Sequence, residues 1–115
     1  MHELSLSEAL FDQIDFAISA HAKAVVRLVR VRVGELAGLE PELFRTAFEV
    51  TRSDRGHARA ELELVYEAAM WMCGDCQAEL VRGEELRCAV CGGQARLSKG
   101  ADLILERVEM EVPDV

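Results

Sequence analysis

The sequence predicts an α+β fold in which a small three-stranded sheet packs with two helices, and a cysteine-rich segment is inserted before the last strand. Three observations predict it. Two stretches repeat apolar residues every three to four positions, as one face of a helix does. Three other stretches alternate apolar and polar residues, as strands do. All four cysteines fall in one short segment, as two C-x2-C pairs.

Length and charge bound the possible functions. At 115 residues the chain has room for one body with a small appended module, and half of its residues are apolar. The formal net charge of −8 argues against binding to nucleic acid or to an anionic membrane. No apolar run approaches the ~20 residues that span a bilayer, and no secretory signal is visible. We therefore expect a cytoplasmic protein with reduced cysteines.

The first helix is predicted from about Ser5 to Ala22. The run Ser5-Leu6-Ser7-Glu8 is typical of a capping box, with Ser5 as the N-cap. The apolar stripe beyond it comprises Leu6, Leu10, Ile14, Ala17, Ile18 and His21. We interpret His21 as a helix-terminal residue near the negative end of the dipole rather than as a ligand.

A strand and a second helix follow. Residues Ala24 to Val33 alternate, so Arg30 and Arg32 share one face of a predicted strand. The opposite face carries Val25, Val29, Val31 and Val33. After a glycine-containing loop, Pro41 suits the first position of a second helix. Its predicted apolar residues are Leu43, Phe44, Ala47, Phe48 and Val50.

Two more strands complete the predicted body. After a polar turn at Arg52 to Gly56, inward positions are assigned to Ala58, Ala60, Leu62, Leu64 and Tyr66. Glu61 and Glu63 on the outer face would complement Arg30 and Arg32 if the strands are neighbours. The last strand is predicted at Leu103 to Val112, alternating through Ile104, Val108, Met110 and Val112. We therefore divide the chain into an α+β domain, residues 1–69 and 101–115, and a cysteine-bearing domain, residues 70–100.

The cysteine segment has the spacing of a zinc site. Cys73, Cys76, Cys88 and Cys91 form two C-x2-C turns separated by eleven residues. Each turn can aim two thiolates at one point, and two turns complete a tetrahedron at the ~2.3 Å Zn–S distance. We interpret residues 70–100 as a zinc-ribbon-like domain. Because sulfur fills all four positions, the zinc is structural and not catalytic.

Four cysteines can also form disulfides, a redox pair or an iron–sulfur cluster. Disulfides would need an exported protein, and a thioredoxin-like redox pair would leave the second C-x2-C unexplained. An iron–sulfur cluster on four cysteines is chemically possible. Residues 70–99 contain as many acidic as basic residues, and Trp71 is the only aromatic residue for base stacking. These features argue that the module folds and docks rather than binds phosphate. A zinc-ribbon adaptor that binds protein or nucleic acid is the alternative function.

The whole chain resembles the HypA/HybF family, the hydrogenase maturation factors that supply nickel. The resemblance lies in "MHELSLSEAL", "VRVRVGELAGLEPELFRTAFE", the paired C-x2-C motifs and the final strand from Ala101 to Val112. It implies a non-enzymatic nickel metallochaperone for [NiFe]-hydrogenase, with His2 as the central nickel ligand and structural zinc on the four cysteines. It also implies a nickel-delivery GTPase and the hydrogenase large subunit as partners. The sequence itself does not distinguish a monomer from a homodimer. The eleven-residue spacer is slightly short for the family.

The first three residues can chelate nickel. The Met1 amine, the His2 amide nitrogen and the His2 imidazole Nδ1 would close fused five- and six-membered rings, and tetragonal nitrogen sites suit Ni(II) or Cu(II). The remaining position could take a carboxylate of Glu3 or Glu40, water, or a ligand of the recipient. Alternatively, the Glu3 amide binds in place of the amine. Taken alone, these residues are more typical of an ordinary helix start, with Glu3 near the positive end of the dipole. The resemblance of the whole chain to the family reverses this and favours a nickel site.

Overall fold

The computed structural model describes residues 2–80 and 87–113. Its helices are α1 (His2–Ala17) and α2 (Pro41–Asp54). Its strands are β1 (Val25–Gly34), β2 (Glu61–Glu67), β3 (Met70–Cys73), β4 (Glu79–Leu80), β5 (Ala95–Lys99) and β6 (Leu103–Glu111). These strands form two sheets, ordered β2-β1-β6 and β4-β3-β5. The predicted fold class is confirmed. Neither described helix has the length and apolar character that crossing a bilayer requires.

The first sheet has β1 at its centre. β1 pairs in parallel with β2, to which α2 connects it, and antiparallel with β6. Arg30 lies opposite Glu63, and its Nε is 2.8 Å from the Glu63 carboxylate, so this part of the predicted arginine–glutamate pairing is confirmed. Arg32 lies opposite Val65, and its Nη1 is 3.1 Å from the Glu67 carboxylate. Arg32 therefore pairs with Glu67 and not with Glu61, the other glutamate predicted on the outer face.

The core lies between this sheet and the two helices. Ring centroids of Phe11 and Phe48 are 5.0 Å apart, which ties α1 to α2. The buried apolar residues of this core are Leu10, Phe11, Ile14, Val26, Val29, Val31, Val33, Phe44, Phe48 and Ala60. Each large side chain contributes about 1.5–3 kcal/mol by leaving water, so this cluster is the main source of the body's stability.

The bounds predicted for the first helix are wrong at both ends. α1 begins at His2, so Ser5 lies inside the helix rather than capping it. No proline or glycine interrupts His2 to Leu4, and Glu3 in the first turn favours the positive end of the dipole. The helix ends at Ala17, and the amide of His21 bonds three residues back to the Ile18 carbonyl at 2.8 Å. These tighter turns lead the chain into β1.

Two irregularities in the β1–β6 pairing change which residues face the core. One falls between Val26 and Leu28, so Val26 is buried and Val25 is 36% exposed, contrary to the simple alternation. The other shifts β6, so Leu105 packs against the core while Ile104 is 46% exposed. A bulge inserts one residue and thereby reverses the phase of the side chains beyond it.

Several residues that were predicted to face the core are exposed at its margin. Tyr66 is 68% exposed because it lies at the end of the edge strand β2, beyond Leu62 and Leu64, which pack against the core. Leu43 and Val50 are exposed because each precedes a buried residue of α2 and lies at the border of its apolar stripe. α2 continues to Asp54, so the polar turn predicted at Arg52 to Gly56 begins inside the helix. Ala58 lies before β2 and is exposed.

A tight junction joins the two sheets. The amide of Gly34, at the end of β1, bonds to the Asp102 carbonyl at 2.9 Å, and the Leu36 amide bonds to the Gly100 carbonyl at 2.7 Å. A Cβ on Gly34 would overlap the backbone of Gly100. The Glu67 carboxylate accepts a hydrogen bond from the Gly100 amide at 3.2 Å. The segment that leads out of the cysteine-bearing sheet is therefore held directly against the end of β1.

Candidate metal sites

The four cysteine sulfurs converge on one point. Their Sγ atoms all lie within 4.8 Å of one another. The closest pairs cross between the two C-x2-C turns: Cys73 to Cys91 at 3.3 Å and Cys76 to Cys88 at 3.6 Å. In the described part of the chain, no other set of three or more histidine, cysteine or acidic side chains converges in this way. The predicted grouping of these cysteines is therefore observed.

The two turns repeat the same backbone hydrogen bonds. In the first, the Cys73 amide bonds to the Ala78 carbonyl at 2.8 Å; in the second, the Cys88 amide bonds to the Gly93 carbonyl at 2.9 Å. The residue after the second cysteine of each turn has a positive φ, +63° at Gln77 and +75° in the second turn. The first cysteine of each pair is buried and the second exposed. This twofold repetition explains why sequence spacing alone locates the site.

Backbone amides favour the thiolate form of the buried sulfurs. The amides of Cys76 and Asp75 point at the Cys73 sulfur, each at 3.4 Å, and lower the pKa of that thiol to about 6. The amide of Cys91 is the main cause of a lowered pKa at Cys88. Hydrogen bonds to an ionised sulfur stabilise its charge, which prepares both residues to bind a cation.

The exposed sulfurs hold their protons more tightly. At Cys91 the Gly93 amide lowers the pKa, but Cys73 and Cys76 raise it more, and the result is about 12. At Cys76 the Ala78 amide lowers the pKa, but Cys88, Cys73 and burial together raise it above its usual value. Four adjacent thiolates repel one another, so only a metal cation would neutralise them together. Four sulfurs with no oxygen or nitrogen ligand suit zinc.

The N-terminal residues meet the start of α2. The Glu3 carboxylate accepts a hydrogen bond from the Glu40 amide at 3.3 Å, and the Glu40 carboxylate caps α2 by accepting from the Leu43 amide at 2.8 Å. The pKa of Glu3 is lowered, first by its own amide and then by that of Glu40. His2 is exposed in the same first turn, and Met1 lies outside the described residues. The chain thus brings together Glu3 and Glu40, the two carboxylates predicted as candidate nickel ligands.

His2 also lines an open groove between α1 and the start of β6. The groove has a volume of about 410 Å³. Its polar side chains are His2, Gln13 and Asp102, and its apolar walls include Leu6 and Leu103. Sequence reasoning missed this groove, because its walls come from opposite ends of the chain.

The other two histidines have structural surroundings. The Nε2 of His57 is 2.7 Å from the Asp15 carboxylate, and its ring stacks on Phe11 with centroids 5.7 Å apart. His21 lies in the turn after α1. Neither residue lies near the start of α1, so His2 is the histidine that the fold places beside Glu3.

Comparison with known proteins identifies the family. The family model for HypA, described as hydrogenase/urease nickel incorporation metallochaperone, matches residues 1–110. This chain belongs to the HypA family. It is 41% identical over 113 residues to the hydrogenase maturation factor HypA of Archaeoglobus fulgidus, covering 97% of this chain and 100% of the relative. It is 34% identical over 114 residues to the HypA of Shewanella baltica strain OS185, covering 96% of this chain and 97% of the relative.

Solved structures share the fold. A solution structure of the Ni metallochaperone HypA from Helicobacter pylori superposes with a TM-score of 0.74 at 23% identity, covering 96% of this chain and 98% of that one. A second solution structure of a HypA protein gives 0.75 at 25% identity, with 98% of both chains covered. The predicted resemblance is therefore confirmed. As a member of this family, the chain is a metallochaperone of hydrogenase/urease nickel incorporation, and not an enzyme.

Proposed function

We propose that this protein carries Ni(II) at its N-terminus, with His2 as the central ligand. Met1 and Glu3 would complete the protein's share of the site, through the Met1 amine or, alternatively, the Glu3 amide. The position of His2 at the start of α1 is the observation that carries the proposal. The first amides of a helix have no intrahelical acceptor, so a metal can bind the His2 amide nitrogen without breaking the helix. Tetragonal nitrogen ligands suit Ni(II).

Nearby carboxylates would complete this site without enclosing it. Glu3 and Glu40 stand side by side at the start of α2, and either can turn an oxygen toward a cation. Glu40 is exposed, Glu3 is half-buried, and His2 opens onto solvent and the groove. An exposed and incompletely enclosed site favours transfer of nickel to a recipient over its storage.

The four cysteines would hold one structural zinc. Cys73, Cys76, Cys88 and Cys91 offer a complete sulfur tetrahedron with no open position, so the zinc stabilises the fold and takes no part in transfer. This division of labour supports two domains, residues 1–69 with 101–115 for nickel and residues 70–100 for zinc.

Delivery would take place in the cytoplasm. The proposed partners are the GTPase of the hydrogenase maturation system and the large subunit of a [NiFe]-hydrogenase, with urease as the other recipient that the family description names. The chain would act as a monomer or homodimer, without nucleic acid or membrane.

Nickel titration of untagged, zinc-loaded protein tests the proposal. His2→Ala should abolish tight nickel binding and leave zinc content and unfolding unchanged, because His2 is exposed. His21→Ala is the matched control and should bind nickel normally. A short extension before Met1 removes the free amine but keeps every side chain. Loss of binding supports amine coordination, whereas unchanged binding supports the Glu3 amide. Normal nickel affinity in His2→Ala would refute the site.

A further inference from the structure

Two buried hydroxyl groups link the helices that carry the N-terminal residues. In the described part of the chain, Ser7 and Thr51 are the only buried polar residues, at 0% and 3% exposure. The Ser7 hydroxyl donates to Thr51 Oγ1 at 3.0 Å, and the Thr51 hydroxyl donates to the Ala47 carbonyl at 2.8 Å. The two residues therefore form a completed hydrogen-bonded link inside an apolar core.

The Ser7–Thr51 pair is less favourable for helix stability than apolar residues would be. Serine and threonine are weak helix formers. The serine hydroxyl competes for backbone hydrogen bonds, and the branched threonine side chain loses rotamer freedom in a helix. Phe11, Phe44 and Phe48 are fully buried in the same core, so apolar residues would suit the position. Replacing a buried polar pair by an apolar pair is often neutral or stabilising. The polar pair adds a preferred position of α1, because α1 cannot slide or rotate without separating the Ser7 hydroxyl from its acceptor on Thr51.

The register of α1 determines what its first turn faces. Glu3 lies one helical turn before Ser7 and therefore on the same side of the helix. From there it accepts the Glu40 amide at 3.3 Å. A shift by one residue rotates a helix by about 100° and moves it by about 1.5 Å, which would break this contact. The N-terminal site thus depends on one register among several that an apolar interface would allow.

We propose that Ser7 and Thr51 are positioning residues for the nickel site. Their hydrogen bond fixes α1 against α2, so that His2 and Glu3 stay beside the start of α2. Neither hydroxyl touches nickel. Without the bond, α1 samples several registers, and the apparent nickel affinity falls in proportion to the competent fraction. This inference rests on the proposed nickel function.

Three variants separate positioning from stability. Thr51→Ser keeps the hydroxyl and loses a methyl group, so it should unfold at lower urea but bind nickel within about twofold of wild type. The double variant Ser7→Ala, Thr51→Val removes both hydroxyl groups. It should unfold at or above the wild-type urea concentration, yet its nickel Kd should rise about three- to tenfold. Ile14→Val is the control on α1, since it lowers stability without touching the link.

Nickel titration and the nuclear magnetic resonance signal of the Glu40 amide are both measured on untagged, zinc-loaded protein. In wild type, the Glu40 amide shift should follow the titration of the Glu3 carboxyl, and in the double variant that response should shrink. Wild-type nickel affinity in the double variant, or an equal loss in Ile14→Val, would overturn the inference. If wild type itself binds no nickel, the proposed function fails, and an unchanged Glu40 response in the double variant would refute the positioning role independently.

Discussion

Substituting alanine for Gly34 should strongly destabilise the α+β part of the protein, which contains β1. The new Cβ would overlap the backbone of Gly100, which is neither a flexible side chain nor free to move. Forcing a methyl group into filled space costs about 1–3 kcal/mol. The hydrogen bonds from Gly34 to Asp102 and from Leu36 to Gly100 would lengthen or break, at about 1 kcal/mol each.

The expected loss is about 3–5 kcal/mol, a large part of the roughly 5–15 kcal/mol that stabilises a domain. With a urea slope of about 2 kcal/mol per molar, the unfolding midpoint should fall by roughly 2 M. Circular dichroism in urea measures this shift. Zinc content should stay unchanged, because Gly34 contacts none of the cysteines.

Gly38→Ala is the matched control for this glycine. Gly38 has a φ of +71°, and no atom lies within 4 Å of the position that an alanine Cβ would take, so alanine there costs only the left-handed conformation, about 1–2 kcal/mol. If Gly34→Ala lowers the midpoint no more than Gly38→Ala does, the backbone yields at the junction and the reasoning from overlap is wrong.

Three further outcomes are expected. The folded pKa of Glu3 is lowered, so its link to Glu40 is present above the ordinary glutamate pKa of about 4.3 and is lost as pH falls through the lower folded value; a carboxyl titration at or above 4.3 by nuclear magnetic resonance would contradict this. The double variant Cys73→Ser, Cys76→Ser should lose zinc and unfold residues 70–100, as elemental analysis and hydrogen exchange would show, because structural zinc supplies folding free energy. The protein should bind random duplex DNA weakly at physiological salt by fluorescence anisotropy, since the net charge of −8 repels phosphate; tight binding would revive the adaptor alternative.

The sequence predicted the features that depend on local spacing. The grouping of the cysteines followed from two repeated turns, and the start of α2 followed from Pro41. The sequence predicted which residues of β1 and β6 are buried only in part. A bulge reverses which residues of a strand face the core, and the sequence does not show where a bulge lies. Val25 and Ile104 were misassigned for this reason.

Some contacts between distant residues have no signal in the sequence, unlike the pairing of Arg30 with Glu63, which strand alternation predicted. Ser7 reads as part of a capping box and Thr51 as an ordinary helix residue, and only packing shows that they bond across forty-four positions. Glu3 was considered as a ligand, but its contact with the Glu40 amide depends on how α1 crosses α2. The paired cysteine turns also carry a small sheet of their own, whose strands are too short to give a periodic signal.

The position of β1 at the centre of the sheet has a consequence for synthesis. Its neighbour β6 is synthesised only after the entire cysteine segment. The first residues of β6 also form one wall of the groove beside His2. Contacts of such long sequence separation form late and slowly. A chain still on the ribosome, or cut before Leu103, therefore lacks the groove however well its first helix forms. The groove beside His2 therefore forms only after the last strand has been made and has paired with β1.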